Sequence, residues 1–408
     1  MISIDEARCL VMDRVEPCPP ANVSLAEAIG HALAEDVKAD IDSPPHAKAL
    51  VDGYAVRVAD LRQASVELQV VEEVTAGQVP TQSVAAGQAT RIMTGAPIPS
   101  GADAVVMREQ TELRQDQASE WVTISTNGIV RGTHILELGT SFRMGEIVLS
   151  AGTLVRGIEV GLLGEVGCAE VKIVRPPRVA ILATGNELVH HGQRPDPGQI
   201  RNSNGPMLVA MTSRAGAEPV DLGIACDDHD ELAARIRQGL DNDILLLSGG
   251  VSAGRLDLVP EVLSSVGVQT VFHRVRLKPG KPLWFGAIGS SSKSTLVFGL
   301  PGNPVSGLVC FELFVRPAIE AMRGRPNAAV MESCVELVGN FSHRGGRPTY
   351  HPGQMRVDAE KTTVLPLQWQ GSADLRTLTD ANCLIHFPAG ERSYGPGELV
   401  KVRHLDAD

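Results

Sequence analysis

Asp243-Ile-Leu-Leu-Leu-Ser-Gly-Gly-Val-Ser-Ala-Gly254 is an apolar run that opens into a loop with three glycines. A short apolar run bounded by glycine or proline reads as a buried strand. The pattern recurs on both sides of it. Ala180-Ile-Leu-Ala183 runs into Thr184-Gly-Asn-Glu-Leu188, Val275-Arg-Leu277 into Lys278-Pro-Gly-Lys-Pro282, and Ser294-Thr-Leu-Val-Phe298 into Gly299-Leu-Pro-Gly-Asn-Pro-Val-Ser306. In an open α/β sheet, ligands bind outside the carboxyl ends of the strands. Four such loops at one edge would surround one ligand with free backbone N–H groups. The two lysines of one loop add positive charge, so the ligand is read as anionic, with phosphate the first guess.

Helical apolar spacing fills the intervals, over residues 206–215, 229–240, 256–266 and 305–322. Alternation of this kind predicts a parallel, doubly wound sheet. Pro176-Pro177 reads as a stiff linker before it, and Arg323-Gly-Arg-Pro326 closes it. Towards the N-terminus, residues 3–16 and 24–36 read as short amphipathic helices, with Ser3 before Asp5 and Glu6 and with Ser24 paired to Glu27 in a capping-box spacing. Asp42-Ser-Pro-Pro-His46 marks a boundary. Residues 50–140 change to short strands and glycine turns, a small β module, after which 152–174 return to helix and strand. The predicted organisation is therefore a split helical domain over 1–45 and 141–176, an inserted β domain over 46–140, an α/β domain over 177–326, and a C-terminal β-barrel or sandwich over 327–408.

Composition narrows the function. The 408 residues are 43% hydrophobic, 21% charged and only 3% aromatic, so the cores are built from aliphatic side chains. The net charge of −11 argues against nucleic-acid or anionic-membrane partners and makes a local lysine pair more informative. No segment offers roughly 18 unbroken apolar residues, and the first residues lack a signal-peptide pattern. Seven scattered cysteines without a C-x-x-C pair imply neither a metal-thiolate site nor disulfides. The reading is a cytoplasmic protein with reduced thiols.

Each motif has a functional reading and a plain one. Gly302-Asn-Pro-Val-Ser306 opens a helix with Asn303 as N-cap and Pro304 in the first turn, so it is either an anion site or a capped junction. Ser248-Gly-Gly-Val-Ser-Ala-Gly254 allows close backbone approach, but it is neither a dinucleotide fingerprint nor a Walker loop. Asp257 either faces a cation or a sugar hydroxyl, or caps the next helix. Lys278-Pro-Gly-Lys-Pro282 is an oxyanion clamp or a solvated turn, and Trp284-Phe285 favours an anchored loop. In Asp227-Asp228-His229-Asp230 one acid is a cap and another is free for a cation.

Together these segments resemble the MoeA family of molybdopterin molybdenumtransferases, which includes the E domain of gephyrin. The resemblance spans essentially the whole chain. Its markers are Val51-Asp-Gly-Tyr-Ala55, the run from Ile92 to Val106 through Thr94-Gly-Ala-Pro-Ile-Pro-Ser-Gly101, Ala183-Thr-Gly-Asn-Glu-Leu188, Ser248-Gly-Gly-Val-Ser252 with Asp257, Lys278-Pro-Gly-Lys-Pro282 and Leu300-Pro-Gly-Asn-Pro-Val-Ser306. The resemblance implies an elongated multidomain subunit with a molybdopterin-binding α/β domain, working as a homodimer whose site lies between the α/β domain of one subunit and the β insertion of the other. It implies molybdate insertion into adenylylated molybdopterin with release of AMP. Asp52, Glu187, Asp227, Asp257, Lys278 and Lys281 are then the catalytic set, with Glu187, Asp227 and Asp257 holding Mg²⁺. Thr94, Gly95, Thr184, Gly185, Gly249, Gly250, Ser252, Pro301, Gly302, Asn303, Pro304, Ser306 and Ser372 bind the substrates, and Lys278, Lys281 and Ser306 take the oxyanion. The molybdopterin adenylyltransferase and apo-molybdoenzymes are the further partners implied. Cleaving a pyrophosphate needs its charge neutralised, and three carboxylates around it would repel it without a metal, which is why Mg²⁺ belongs to the expectation.

The chain departs from the family pattern at named places. Pro45-His-Ala-Lys-Ala-Leu-Val51 stands where the family usually reads something like F-D-N-S-A-M, Asn202 and Ser141 stand where acids are usual, and Pro352 stands where a second arginine is common. Two lost negative charges open a second reading, a catalytically impaired relative that binds molybdopterin or serves as a scaffold.

Overall fold

The computed structural model describes residues 1–116, 119–251, 258–290, 293–325, 332–358 and 361–405. The chain divides into two compact units. One comprises Met1–Val23, Ala28–Ala34 and everything from Lys172 onward; the other comprises Ser24–Glu27 and Glu35–Val171.

The first unit is organised by one sheet. Its elements in chain order are β1 (Arg178–Thr184), α1 (Asn204–Arg214), β2 (Glu218–Ala225), α2 (His229–Leu240), β3 (Ile244–Ser248), α3 (Val259–Ser265), β4 (Gln269–His273), β5 (Trp284–Ser290), β6 (Lys293–Leu300) and α4 (Pro304–Cys310). A single π turn, Phe311–Val315, continues α4 into Arg316–Met322. The strands lie in the order β2-β1-β3-β6-β5-β4. Side chains alternate along each strand into two separate cores. Val179 and Ile181 of β1 and Ile244 and Leu246 of β3 pack in one core with Leu208, Val305 and Val309 from the helices. Ala180, Leu182, Leu245 and Leu247 pack in the other with Leu232, Ile236 and Val262. Both faces are covered, as unbroken apolar strand runs require.

The sheet is not wholly parallel. β2, β1, β3 and β6 are mutually parallel, but β5 runs antiparallel to both of its neighbours. The cause is connection length: Ser290 pairs with Lys293, and a hairpin that tight cannot hold the dozen or more residues of a parallel crossover. Val275-Arg-Leu277 is not a strand either. β4 ends at His273, Arg274 takes a left-handed φ of 75°, and the Val275 N–H donates to the Lys281 carbonyl, closing the segment on itself. Because β4 runs with the parallel strands, the lysine loop still emerges at their carboxyl edge. The helix predicted from 256 is described from Val259, and Leu256 lies outside the described residues.

Helix Ile4–Met12 forms as predicted, with the Ser3 hydroxyl accepting from the Glu6 N–H at 3.1 Å. The helix predicted over 24–36 does not form. Ser24 and Glu27 do make the reciprocal capping-box bonds, but Gly30 turns left-handed (φ 81°) and the segment is a run of turns. Among the described residues of 1–45 and 141–176, the α-helices are Ile4–Met12 and Gly157–Glu165. After the α/β sheet comes a closed five-stranded barrel of Glu332–Leu337, Thr362–Pro366, Thr349–Val357, Cys383–Phe387 and Leu399–His404. Buried Arg403 joins it to the helical layer, donating to the Glu312 carbonyl at 2.5 Å and to the Glu332 carboxylate at 2.8 Å.

The second unit holds a six-stranded sheet in the order Ala104–Met107, Gly53–Val56, Gln88–Ile92, Ser65–Val74, Glu120–Ser125, Thr111–Gln115. Tyr54, Val56, Leu68, Val106, Val122 and Ile124 form its core.

Candidate functional site

The carboxyl edge of the α/β sheet bears a cleft of about 570 Å³. The loops after β1, β3 and β6 line it with Thr184, Glu187, Ser248, Gly249, Gly250, Pro301, Gly302 and Pro304, and the entry to α1 adds Arg201 and Asn202. Gly249 has no substitute here: φ is +98°, and an added Cβ would sit 2.5 Å from the Thr184 carbonyl oxygen. Gly185 closes the first loop by donating its N–H to the Ala225 carbonyl (3.2 Å). Asn204 ties the loops together, its Nδ2 donating to Ser248 Oγ (2.9 Å) and to the Gly302 carbonyl (2.7 Å). Those bonds leave Asn204 Oδ1 buried without a partner among the described residues, as is Thr184 Oγ1. Unpaired buried oxygens at the wall of a cleft are what a polar ligand or a hard cation would satisfy.

The predicted acids are distributed unevenly. Glu187 lines the cleft. Asp227 does not; it exchanges two hydrogen bonds with Asn186, accepting from its N–H at 3.3 Å and donating its own N–H to the Asn186 amide oxygen at 3.0 Å. Asp228 is the cap of α2, accepting from Asp230 and Glu231. Asp257 and Ser252 lie outside the described residues. Among the described residues, no three His, Cys, Asp or Glu side chains converge as a metal site, so Glu187 and Asp227 alone do not make one. Asn202 is buried and its Oδ1 accepts from the Gly205 N–H at 2.9 Å, a capping role an aspartate would share.

A second cavity of about 560 Å³ adjoins the first, and Pro282, Pro301 and Asn303 line both. Its other walls carry Lys278, Lys281, Arg347, Ser306, Trp369 and Ser372, among the described residues three cations and no acid. The lysine loop is fixed by backbone. Lys278 N–H donates to the Pro348 carbonyl and its carbonyl accepts from Tyr350 N–H, both at 2.9 Å. Gly280, at φ 115°, lets the loop lie against Cys310, whose Sγ would be 2.7 Å from any added Cβ. Arg347 donates Nη1 to the Leu277 carbonyl (3.0 Å), and Trp369 Nε1 is buried with no acceptor among the described residues. Burial holds His343 and His351 below the ordinary histidine range, outweighing a backbone hydrogen bond to each, and the nearby Lys278 ammonium adds to it. The cavity thus presents donors and positive charge, the complement of an oxyanion.

Asn303 sits at the N-cap position of α4 but does not cap it with its side chain. Its Nδ2 donates to Ser372 Oγ (2.8 Å), while the Ser372 carbonyl accepts the Val305 N–H (3.1 Å). The predicted cap is thus supplied by the barrel's loop. Arg347, Trp369 and Asn204 were not among the predicted residues. Arg347 is the first arginine of the family segment that departs at Pro352, and Asn204 ends the segment that departs at Asn202, whereas Trp369 carries no local signal. Pro352 is buried in its barrel strand and lines neither cavity.

In the other unit Asp52 and Thr94 are partners, as their separate motifs did not reveal. Asp52 Oδ1 accepts from the Thr94 N–H and from Thr94 Oγ1, each at 2.7 Å, and these bonds hold the carboxyl below its usual range. Gly95 (φ 84°) then turns the chain and donates to the Ala49 carbonyl. Ser141 is exposed and donates its N–H to the Ser43 carbonyl.

A doubly wound α/β unit with glycine loops at one edge, joined to a closed β-barrel, defines the class of fold. Family models divide the chain further: residues 2–167 match the MoeA N-terminal region (domain I and II), 180–321 the probable molybdopterin binding domain, and 335–405 the MoeA C-terminal region (domain IV). The chain belongs to the MoeA family. It is 32% identical to the molybdopterin molybdenumtransferase of Staphylococcus aureus (strain COL), covering 100% of this chain and 96% of that protein. It is 34% identical to that of Bacillus subtilis (strain 168), covering 93% and 88%. A crystal structure of the molybdopterin biosynthesis MoeA protein from Pyrococcus horikoshii OT3 superposes with a TM-score of 0.83 at 29% identity, covering 99% of this chain and 100% of that one. A second structure of that protein gives 0.86 at 30%, covering 100% of both chains.

Proposed function

We propose that the protein is a molybdopterin molybdenumtransferase of molybdenum cofactor biosynthesis, inserting molybdate into adenylylated molybdopterin and releasing AMP. The observation that carries this reading is the pair of adjoining cavities, one glycine-lined with unpaired oxygens and one cationic, with a common wall. In this reading Thr184, Gly185, Gly249, Gly250, Pro301, Gly302 and Pro304 cradle the pterin and its phosphates. Lys278, Lys281, Arg347, Ser306 and Ser372 hold molybdate beside them. The full-length relatives carry the transferase name, which favours catalysis over a scaffold.

Mg²⁺ fits the donors present. Glu187, Thr184 Oγ1 and Asn204 Oδ1 are hard oxygen ligands, and the last two have no partner among the described residues. They would hold the cation, with Asp257 completing the set; Asp227, paired with Asn186 off the cleft, is not placed to join them. When bound, Mg²⁺ neutralises charge on the phosphoanhydride. The lysines and Arg347 orient the incoming oxyanion, and the glycine loops keep the phosphates in register with it.

The working form is a cytoplasmic homodimer in which Asp52 and Thr94 of one subunit complete the site of the other, and the four-part division read from the sequence describes each subunit. The molybdopterin adenylyltransferase and apo-molybdoenzymes stand upstream and downstream. Purified protein given adenylylated molybdopterin, molybdate and Mg²⁺ should release AMP only when molybdate is present; molybdate-independent release, or none, defeats the reading. An active monomer in sedimentation would defeat the shared site alone.

A further inference from the structure

We infer that Asn303 is a positioning residue that presents the Ser372 hydroxyl as a hydrogen-bond donor to the bound oxyanion; this rests on the oxyanion reading of the cationic cavity. Asn303 has the extended backbone of an N-cap (φ −72°, ψ 127°), yet its side chain makes no cap bond. The Val305 N–H is served by the Ser372 carbonyl, so the amide is released for another partner. That partner is the Ser372 hydroxyl, 2.8 Å from Nδ2. A hydroxyl has one proton and two acceptor lone pairs. With the amide donating to its oxygen, the hydroxyl keeps its own proton for a ligand. Among the described residues the cavity it faces has three cations and no acid, so the acceptor that fits there is an anion.

The arrangement makes the amide's polarity decisive. An aspartate at 303 can only accept. It would take the hydroxyl proton and set a negative charge on the wall shared by both cavities. The side chain of residue 303 makes no cap bond, and the Ser372 carbonyl still serves the Val305 N–H, so the fold should persist. An alanine at 303 would merely free the hydroxyl, which could still donate.

Titration calorimetry of the full-length protein with sodium molybdate tests this. N303D should weaken molybdate binding by about thirtyfold or more, and N303A by about threefold or less, with melting temperatures unchanged. In an S372A background, the N303D penalty should shrink severalfold. In turnover, N303D should raise the KM for molybdate several times more than the KM for adenylylated molybdopterin, whose cleft shares this wall. Equal losses in N303A and N303D, or unaltered binding by N303D, would overturn the inference while the oxyanion reading stands. A wild-type protein that binds no molybdate would overturn the oxyanion reading, and this inference with it.

Discussion

The glycine-lined cleft and the cationic cavity are nearly equal in volume, about 570 and 560 Å³, and share three wall residues, but they are assembled differently. The cleft is made from consecutive strand ends of one sheet, so its parts are local motifs whose meeting place follows from topology. The cavity is made by clamping one loop of the α/β sheet to the barrel: Arg347 reaches the Leu277 carbonyl across 70 residues of sequence. Topology rules place strand-end loops along one edge; they say nothing about which barrel loop covers them. Recognition by fixed backbone thus comes from the sheet, and recognition by charge comes from a junction.

The sharpest way to test that division is to remove charge without touching the scaffold. Lys278 and Lys281 have exposed side chains on a loop held by its backbone. Lys278→Ala or Lys281→Ala should each cut molybdate-dependent AMP release by about a hundredfold, the scale of losing one preorganised electrostatic group, with no change in melting temperature. If both variants retain normal molybdate dependence, the cavity is not the oxyanion site and the comparison collapses.

The opposite perturbation is Gly249→Ala. A left-handed φ costs a non-glycine residue about 1–3 kcal/mol, and the contact with the Thr184 carbonyl adds to it. The variant should melt earlier and lose binding of adenylylated molybdopterin. Its molybdate affinity, measured by calorimetry, should stay within about threefold of wild type, since the cationic cavity is held elsewhere. Loss of both affinities together would show that the two cavities are one cooperative structure.

The same contrast explains what could be read in advance. Apolar runs between glycine loops disclosed the sheet, and α2 matches its predicted span because Asp228 and the spacing of Leu232, Ala233 and Ile236 act locally. The sequence failed where a tertiary partner took over a local signal. Ser24 and Glu27 close a capping box, but a left-handed Gly30 stops the helix they announce. Val275-Arg-Leu277 is apolar enough for a strand, but Val275 pairs with Lys281 and bridges to Ile2 instead. Asn303 looks like a cap, yet Ser372 supplies the cap. Half of the cationic cavity was legible as a lysine loop; Arg347 and Trp369 were not, because no periodicity links them to it.

A third prediction separates scaffold from site. Asp243 receives a bidentate Arg175 at 2.7 and 2.8 Å and the Arg178 N–H at 2.7 Å, locking the entry into β1. Burial alone would raise its pKa, but these bonds outweigh it and hold the carboxyl below the usual range. A depressed carboxyl stabilises the fold above its unfolded pKa, about 4, and that stability is lost as pH falls through the folded value. Asp243→Asn should therefore cost about 2 kcal/mol at pH 7 in denaturant unfolding and progressively less below pH ~4. Both cavities should keep their affinities. A pH-independent gap between variant and wild type would mean the pair acts through packing.

The smallest effect is expected at Asn202, where the family pattern carries an acid. The residue lines the glycine cleft, so an added carboxylate could in principle bind the cation. Its geometry points elsewhere: Oδ1 is engaged with the Gly205 N–H at the start of α1, and the side chain is buried. Asn and Asp cap about equally well, and a negative charge at the start of an 11-residue helix is favourable by about 0.3–1 kcal/mol. Burial of that charge offsets the gain. Asn202→Asp should therefore leave unfolding free energy within about 0.5 kcal/mol of wild type and shift the Mg²⁺ concentration for half-maximal AMP release by about twofold or less. A larger fall in the Mg²⁺ requirement would show that the acid reaches the cation. The cleft would then resemble the cationic cavity in using side-chain charge, and the division between a backbone site and a charge site would no longer hold.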